Sequence, residues 1–289
     1  MRTQYVSTLE LDEARLAKDL EQALTFKFSE AYSNYLIGGP WKSAMLWATG
    51  GDEGDGLLTN YQYDRRPTFT EYGQQLPYVQ EIITSVANTA RLTFVRLAVF
   101  SRSVIVPHRD YIELAEIPED SRSAHRLHIP LATHEDCYFS EDNVVYRMRA
   151  GEVWHFDASQ IHSVASFSGE PRIHLIFDFA DRPEDGPILA IPDEGDGTID
   201  AGRIVHRPPL PDAERSSLAL LSQVLTMDTF NEVFSIVVKT HFRRDGGAGF
   251  VWDTMIDLAR GSADPAVLTH ATELRQYFTL DRPSGSGQA

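Results

Sequence analysis

The 289-residue sequence predicts a mainly β fold with helical additions, and three observations carry this prediction. Residues 91–181 contain about eight short segments rich in Val, Leu, Ile and Phe, separated by turn residues, which is typical of a sandwich or barrel. Residues 212–281 repeat their apolar positions at helical spacing. The intervening residues 182–211 are acidic and rich in Pro and Gly, as in a connection. We therefore expect a double-stranded β-helix (jelly roll) core followed by a C-terminal helical domain.

Residues 1–90 are predicted to flank this core as helical and loop segments. Apolar residues at i, i+4 spacing predict a surface helix within residues 10–25, and a second short helix is expected within residues 76–89. Residues 38–56 end in a run of glycine and acidic residues and are predicted to form a flexible loop. At the other end of the chain, residues 282–289 are expected to be disordered.

Several apolar segments of the predicted core are expected to form strands. They are 91–106, 126–131, 136–139, 144–148, 152–156 and 172–179. In the second of these, Arg126 and His128 alternate with Leu127 and Ile129, so the two pairs are expected on opposite faces of the sheet. Farther along, an apolar stripe on the C-terminal helices would serve either a homodimer interface or the core of the helical domain itself.

The overall composition is that of a soluble globular protein, with 42% apolar and 24% charged residues. A formal net charge of −16 disfavours nucleic acid and anionic membranes as partners, because both are polyanions. The single cysteine, Cys137, excludes an internal disulfide and Cys-rich metal sites. The first residues lack an apolar signal segment and no apolar run approaches the roughly 18 residues of a membrane-spanning helix, so a cytoplasmic location is expected.

Two histidines and one aspartate are arranged as a candidate metal site. His108 and Asp110 are separated by one residue, so on an extended strand their side chains project from the same face. His162 follows after enough sequence for several strands to run out and return. Two histidines and one carboxylate on one side of a metal form the facial triad of non-haem iron(II) oxygenases, which leaves positions open for a co-substrate and oxygen. These three residues are therefore the predicted iron ligands.

Arg172 begins the last predicted strand of the core and is a candidate binding residue. On that strand it shares one face with His174 and Asp178, whereas the opposite face is apolar. A buried guanidinium requires an anion, and its planar fork binds a carboxylate bidentately. We expect Arg172 to bind the carboxylate of the co-substrate, so the sequence indicates an iron(II)- and 2-oxoglutarate-dependent hydroxylase.

A second His-x-Asp pair, His155 and Asp157, also fits the short ligand motif. These residues lie too close to His162 to repeat the order of ligand pair, strand material, distal histidine and arginine. We therefore interpret His155 as a packed or hydrogen-bonded strand residue. Arg126 has two interpretations, since it either binds a carboxylate in the pocket or pairs with an acid of the protein such as Asp157.

A set of short segments carries a resemblance to a known family. The segments are 41–42, 46–50, 77–82, 107–114, 149–154, 156–158, 161–164 and the arginine at 172. In them the sequence resembles the bacterial hydroxylases of free proline, of the cis-3 and cis-4 types, within the wider aspartyl/asparaginyl β-hydroxylase group. The likeness covers most of residues 40–180 and extends more loosely into the C-terminal helices. It implies a dioxygenase that uses iron(II), 2-oxoglutarate and O2 and acts on a small free amino acid.

The resemblance also implies roles for individual residues besides the three iron ligands. Arg172 would anchor the distal carboxylate of 2-oxoglutarate. His128 matches the Arg-x-His strand of the wider group and is expected to give 2-oxoglutarate a hydrogen bond rather than to bind the metal. Arg126 matches an arginine that holds a carboxylate in the pocket, expected to be that of the amino acid. Apart from the resemblance, the position of Glu113 three residues after Asp110 suggests that it orients the metal site or the substrate amine.

The expected substrate is a free cyclic imino acid. Phe139 stands where the proline cis-3 hydroxylases are expected to have a polar residue, so pipecolic acid, with its larger ring, is considered beside proline. The predicted reaction hydroxylates an unactivated ring C–H, at C3 or C4, of L-proline or L-pipecolic acid and yields succinate and CO2. Two alternatives stay open: a hydroxylase of a peptide- or carrier-bound residue, and a non-catalytic jelly-roll metal-binding protein. Asp110 favours the free-amino-acid branch, because protein-acting members of the wider group can lack a carboxylate ligand.

Overall fold

The structure of the chain is a computed structural model, which describes residues 3–30, 36–37, 41–110, 117–118, 121 and 123–280. In these residues the strands are β1 (Gln4–Thr8), β2 (Leu36–Ile37), β3 (Lys42–Thr49), β4 (Pro67–Phe69), β5 (Leu92–Phe100), β6 (Ser103–His108), β7 (Ser123–Ala132), β8 (Cys137–Glu141), β9 (Val144–Tyr146), β10 (Glu152–His155), β11 (His162–Ser166) and β12 (Arg172–Ala180). The helices are α1 (Glu13–Ala23), α2 (Glu71–Gln74), α3 (Pro77–Val86), α4 (Asp212–Ala219), α5 (Phe230–Arg243), α6 (Phe250–Arg260) and α7 (Pro265–Arg275). The predicted disordered tail lies outside the described residues.

The strands form two antiparallel sheets that face each other. Within the described residues the larger sheet has the order β1-β10-β7-β12-β5-β3-β4, and the smaller sheet has the order β2-β6-β11-β8-β9. Phe100 and Trp154 of the larger sheet share one buried cluster with Phe139 and Val164 of the smaller sheet, so apolar side chains fill part of the space between the sheets. The prediction of a mainly β core with added helices is confirmed.

The larger sheet packs an apolar layer on its outer face and carries several polar side chains on its inner face. Leu127 and Ile129 of β7 are buried in the cluster that also contains Ile83 of α3. Arg126 and His128, which alternate with them, line a pocket between the two sheets instead. The predicted alternation in this strand is therefore confirmed, and it directs the polar side chains to the interior pocket because successive side chains of a strand point to opposite faces.

The N-terminal part contributes strands that the sequence analysis did not predict. Residues 42–49, within the predicted loop, form β3, which pairs with β5 and β4 in the larger sheet. The prediction of a loop was wrong there because β3 is buried along almost its whole length and shows no alternation of polar and apolar residues. The glycines that favoured a loop come after the strand. β1 pairs with β10 at the opposite edge of the same sheet.

The C-terminal helices pack around a second apolar cluster. Phe234 of α5 and Trp252 and Met255 of α6 are buried there, so the predicted apolar stripes form the core of the helices themselves. Val104 and Val106 of β6 belong to the same cluster, and the helices therefore pack on the smaller sheet. Homodimer formation stays a prediction. None of the helices described has both the length and the apolar character that crossing a membrane requires.

Candidate metal centre and its pocket

His108, Asp110 and His162 come together at one end of the smaller sheet. His108 ends β6 and His162 begins β11, and the two are opposed in the antiparallel register. Their ring centroids are 4.2 Å apart. Oδ1 of Asp110 lies 3.1 Å from Nε2 of His108 and 3.9 Å from Nε2 of His162. The three side chains each offer one ligand atom, and these atoms lie within 4.8 Å of one another.

The backbone fixes which nitrogen of each imidazole faces the centre of this cluster. Nδ1 of His108 lies 2.8 Å from the carbonyl oxygen of Val106, and Nδ1 of His162 lies 2.9 Å from that of Gln160. A carbonyl only accepts, so each Nδ1 carries the proton and each Nε2 keeps its lone pair. Such bonds orient metal-binding histidines, and the donor set therefore fits a divalent metal ion.

The surroundings of the cluster keep Asp110 ionised and His162 neutral. Burial opposes ionisation of Asp110, but the Arg126 guanidinium outweighs it and holds the pKa of this carboxyl well below its usual range. Burial, together with His108, lowers the pKa of His162 to about 3. A neutral imidazole and an ionised carboxylate are the forms that bind a metal, so both ligand types are ready at neutral pH.

Arg126 belongs to a buried network of ion pairs. It donates from Nε to Oδ1 of Asp178 at 2.7 Å and also contacts Oδ2 of Asp110 through its Nη1. The other oxygen of Asp178 accepts from Arg96 at 2.6 Å. Of the two interpretations of Arg126, pairing with an acid of the protein is observed, although the acids are Asp178 and Asp110 rather than Asp157. The network ties the carboxylate of the candidate metal centre to β5 and β12.

Arg172 is buried in the same pocket without a carboxylate partner. Its side chain is 2% exposed, and among the residues that the structure describes no carboxylate lies within ion-pair distance of it. Its Nε donates to Nε2 of His174 at 3.0 Å, and its guanidinium lies over the Phe139 ring at 4.5 Å. Burial lowers the pKa of Arg172 to about 10. An isolated buried cation is costly, and an anionic ligand would relieve that cost.

His128 offers a neutral imidazole to the pocket between the two arginines. The ring packs against Phe156 with centroids 4.6 Å apart. Neither of its ring nitrogens has a hydrogen-bond partner in the part of the chain that the structure describes. Burial, and then Arg126 and Arg172, hold the pKa of His128 well below its usual value. A buried imidazole with two unsatisfied nitrogens is suited to a polar ligand.

Glu113, Asp157 and His155 were also considered in the sequence analysis, and none of them is observed in the metal-ligating cluster of the described residues. Glu113 lies outside the described residues. Asp157 accepts from Ser159 and Gln160 within a turn, and His155 ends β10, so neither takes part in the cluster of metal-ligating side chains.

Sequence reasoning missed several residues that line the pocket. They are Trp41, Leu58, Arg96, Ile105, Val164 and Ile176. The sequence could have indicated Arg96, because a single arginine within a largely apolar strand needs an anionic partner. The apolar residues carried no such signal.

Because several histidines are buried, we expect the free energy of unfolding of the metal-free protein to decrease in mild acid. Burial lowers the pKa of four of them: His128, His162, His174 and His241. The unfolded chain takes up these protons near pH 6.5 while the folded chain does not, so stability is present above that pH and is lost as pH falls. Each histidine contributes about 1.4 kcal/mol per pH unit in this window. Urea unfolding at pH 7, 6 and 5 measures the slope.

His241 provides a control for the acid sensitivity, because it lies on α5 away from the pocket and its pKa is lowered by burial to about 3. Replacing it by asparagine should reduce the slope by about one proton. A free energy of unfolding that stays constant between pH 6.5 and pH 5 would contradict the prediction.

Comparison with known proteins places the chain in a family. A family model described as aspartyl/asparaginyl beta-hydroxylase matches residues 7–182. The chain belongs to the aspartyl/asparaginyl β-hydroxylase family. A second model, described as the C-terminal part of L-proline 3-hydroxylase, matches residues 187–286. The predicted resemblance is confirmed, and so is the prediction that this family member is an amino acid hydroxylase of the dioxygenase class.

Two relatives align with this chain over nearly its whole length and theirs. It is 28% identical to L-proline cis-3-hydroxylase 1 of Streptomyces sp over 289 residues, covering 99% of this chain and 97% of the relative. It is also 28% identical to L-proline cis-4-hydroxylase of Rhizobium meliloti (strain 1021) over 286 residues, covering 99% and 98%. Both matches extend through the core and the C-terminal helices.

Solved structures share the arrangement only loosely. An oxidoreductase of the 2OG-Fe(II) oxygenase family from Burkholderia pseudomallei matches with a TM-score of 0.38 and 11% identity, over 60% of this chain and 80% of the other. A prolyl-4-hydroxylase from Pseudomonas putida matches with a TM-score of 0.37 and 14% identity, over 62% and 91%. These scores are too low to add to the sequence matches.

Proposed function

We propose that this family member is an iron(II)- and 2-oxoglutarate-dependent dioxygenase that hydroxylates C3 or C4 of a free cyclic imino acid, L-proline or L-pipecolic acid. Succinate and CO2 are the co-products. The observation that carries the proposal is the buried Arg172 guanidinium, which has no carboxylate partner in the described residues and lines the same pocket as the His108, Asp110 and His162 cluster. The full-length relatives named as proline cis-3 and cis-4 hydroxylases support the substrate class.

In this proposal the metal is held by His108, Asp110 and His162. The fit rests on the two Nε2 lone pairs and the ionised carboxylate, which are the donor types of the facial triad. When bound, iron(II) with 2-oxoglutarate and O2 supplies the oxidising power for the C–H bond. The protein supplies orientation, and Arg126 keeps the Asp110 carboxylate in place through its contact with Oδ2.

Arg172 and His128 are proposed to bind 2-oxoglutarate. The guanidinium would pair with the distal carboxylate, which relieves the cost of an isolated buried cation. His128 would give the ligand a hydrogen bond from one of its unsatisfied ring nitrogens. Phe139 packs on the guanidinium and Phe156 packs on His128, so both polar groups are shielded from water, which strengthens their interaction with an anion.

The carboxylate of the imino acid is proposed to bind near Arg126 and Arg96. Both line the pocket, and Nε of Arg96 is buried without a hydrogen-bond partner in the described part of the chain. Asp178 and Asp110 neutralise only part of the positive charge of the three pocket arginines, so added carboxylates are favourable. Glu113 stays proposed to orient the metal site or the substrate amine.

We also propose the fold type of the core and the boundaries between the parts of the chain. Two facing antiparallel sheets with a metal site at one end support the double-stranded β-helix over residues 91–181. β1, β3 and β4 extend the larger sheet from residues 1–90. Residues 182–211 contain two 3-10 turns and would act as the connection to the helical domain at 212–281.

The test is turnover against a panel of substrates. Protein reconstituted without oxygen with iron(II) and 2-oxoglutarate is mixed with L-proline, L-pipecolic acid, an open-chain homologue or a proline-containing peptide, and then exposed to O2. We expect one succinate for each hydroxylated free imino acid, and neither product from His162→Ala. The ring that gives the larger kcat/KM identifies the substrate.

The other outcomes of this panel each reject a part of the proposal. Succinate without hydroxylated product would retain the co-substrate and reject the imino acids. Hydroxylation of the peptide in preference to the free imino acid would favour a bound substrate. No succinate with any compound would favour a non-catalytic metal-binding protein.

A further inference from the structure

The strand that carries His108 contains a β-bulge immediately before this residue. In the pairing of β6 with β11, His108 is opposite His162 and Ile105 is opposite Val164. Two residues of β6, Val106 and Pro107, therefore face the single residue between the opposed pairs on β11. Bulges change the direction of a strand and are frequent beside active sites, where they aim a side chain. The direction of the His108 imidazole thus depends on the conformation of this bulge.

The carbonyl groups of the bulge are held by side chains. Ser163 Oγ donates to the Ile105 carbonyl at 2.5 Å, and Nδ1 of His108 donates to the Val106 carbonyl. The Pro107 carbonyl accepts a hydrogen bond of 3.0 Å from the indole Nε1 of Trp252 on α6. The carbonyl group next to His108 is therefore bound by a donor from the C-terminal helices, which lies far from it in the sequence.

The indole is buried among the C-terminal helices. Trp252 is 4% exposed. Its ring meets Phe234 of α5 edge to face, with centroids 4.9 Å apart, and stacks on Phe278 with centroids 6.2 Å apart. The carbonyl of Phe278 also accepts from the backbone N–H of Arg109 at 2.9 Å. The C-terminal region therefore forms hydrogen bonds with the backbone on both sides of His108.

We propose that Trp252 is a positioning residue for the metal centre: its hydrogen bond to the Pro107 carbonyl sets the bulge that aims His108 and Asp110. This inference rests on the proposed function, since it takes these residues as metal ligands. The C-terminal helices then have a role in the active site although they contribute no ligand. Groups that hydrogen-bond a metal ligand directly change metal affinity by roughly 10- to 100-fold; Trp252 bonds the residue next to His108, so we expect an effect at the lower end of this range.

The test compares Trp252→Phe with Phe234→Leu in the full-length protein, with Co(II) as the probe. Trp252→Phe removes the indole donor and keeps an aromatic ring, whereas Phe234→Leu reduces the same cluster and keeps the donor. Calorimetry gives the Kd, and the visible absorption of Co(II) reports its coordination. For Trp252→Phe we expect a Kd about tenfold higher or more and an altered spectrum. For Phe234→Leu we expect a lower melting temperature with both metal properties unchanged.

Each outcome decides the inference. Equal Co(II) affinities for wild type and Trp252→Phe, or an equal loss in Phe234→Leu, would overturn it. If Trp252→Phe does not fold, Ser163→Ala tests the same bulge with a smaller change: weaker Co(II) binding supports the inference and unchanged binding overturns it. A wild-type protein that binds no Co(II) would instead reject the metal site of the proposed function.

Discussion

Replacing His108 by alanine is expected to reduce succinate formation by at least about 1,000-fold, equivalent to ~4 kcal/mol in the activation free energy. The His108 ring lies 3.1 Å from Asp110 through Nε2 and is opposed to His162, so its loss leaves two of the three grouped ligands. Its Nδ1 is held by a backbone carbonyl, and alanine has no group that could replace the ring. Stopped assays of succinate at saturating 2-oxoglutarate and iron(II) measure the effect.

His155→Ala is the matched control for this experiment. His155 also begins a His-x-Asp motif, but it lies at the end of β10 and outside the cluster of metal-ligating side chains. Its replacement should leave succinate formation within about threefold, as for a strand residue without contact to the metal. If His155→Ala abolished activity and His108→Ala retained it, the wrong pair would have been assigned as ligands.

Replacing Arg172 by methionine is expected to raise the KM for 2-oxoglutarate about 100-fold, equivalent to ~2.7 kcal/mol, because a desolvated charge pair with the distal carboxylate is lost. The same variant should melt at an unchanged or higher temperature when no ligand is present. The reason is that Arg172 is 2% exposed and has no carboxylate partner in the described residues, so the substitution removes an uncompensated buried charge. Steady-state kinetics and calorimetric melting measure the two effects.

Arg96→Met is the comparison variant, because it shows how much stability is lost when a buried arginine with a carboxylate partner is removed. Arg96 is also a buried pocket arginine, but it forms a 2.6 Å ion pair with Asp178, which is 0% exposed. Its removal should destabilise the ligand-free protein by about 3 kcal/mol, since a buried charge then loses one of its partners. A comparable loss of stability in Arg172→Met, with KM for 2-oxoglutarate unchanged, would indicate that Arg172 is structural.

Some of the strands that position the candidate site could be predicted from the sequence, and others could not. β7 alternates polar and apolar residues, and this alternation correctly predicted that Arg126 and His128 share one face while Leu127 and Ile129 share the other. β3 gave no such signal, because it is buried along almost its whole length and its composition does not distinguish a strand from another buried segment. The acid partner of Arg126 was also not predicted, since Asp157 and Asp178 are both acids at plausible distances in sequence and only the register of β7 with β12 brings Asp178 opposite.

The sequence by itself determined the chemistry expected of the candidate site: two histidines and an aspartate at strand spacing, an arginine on the polar face of a strand whose other face is apolar, and the likeness to proline hydroxylases. These follow from local spacing and residue type, which a single sequence carries. The tertiary structure alone decided that Asp178 accepts from both Arg96 and Arg126, that Arg172 is left without a carboxylate partner in the described residues, and that Trp252 donates to the Pro107 carbonyl. Each of these depends on strand register or helix packing between residues far apart in the chain, and long-range pairing leaves no local pattern in the sequence.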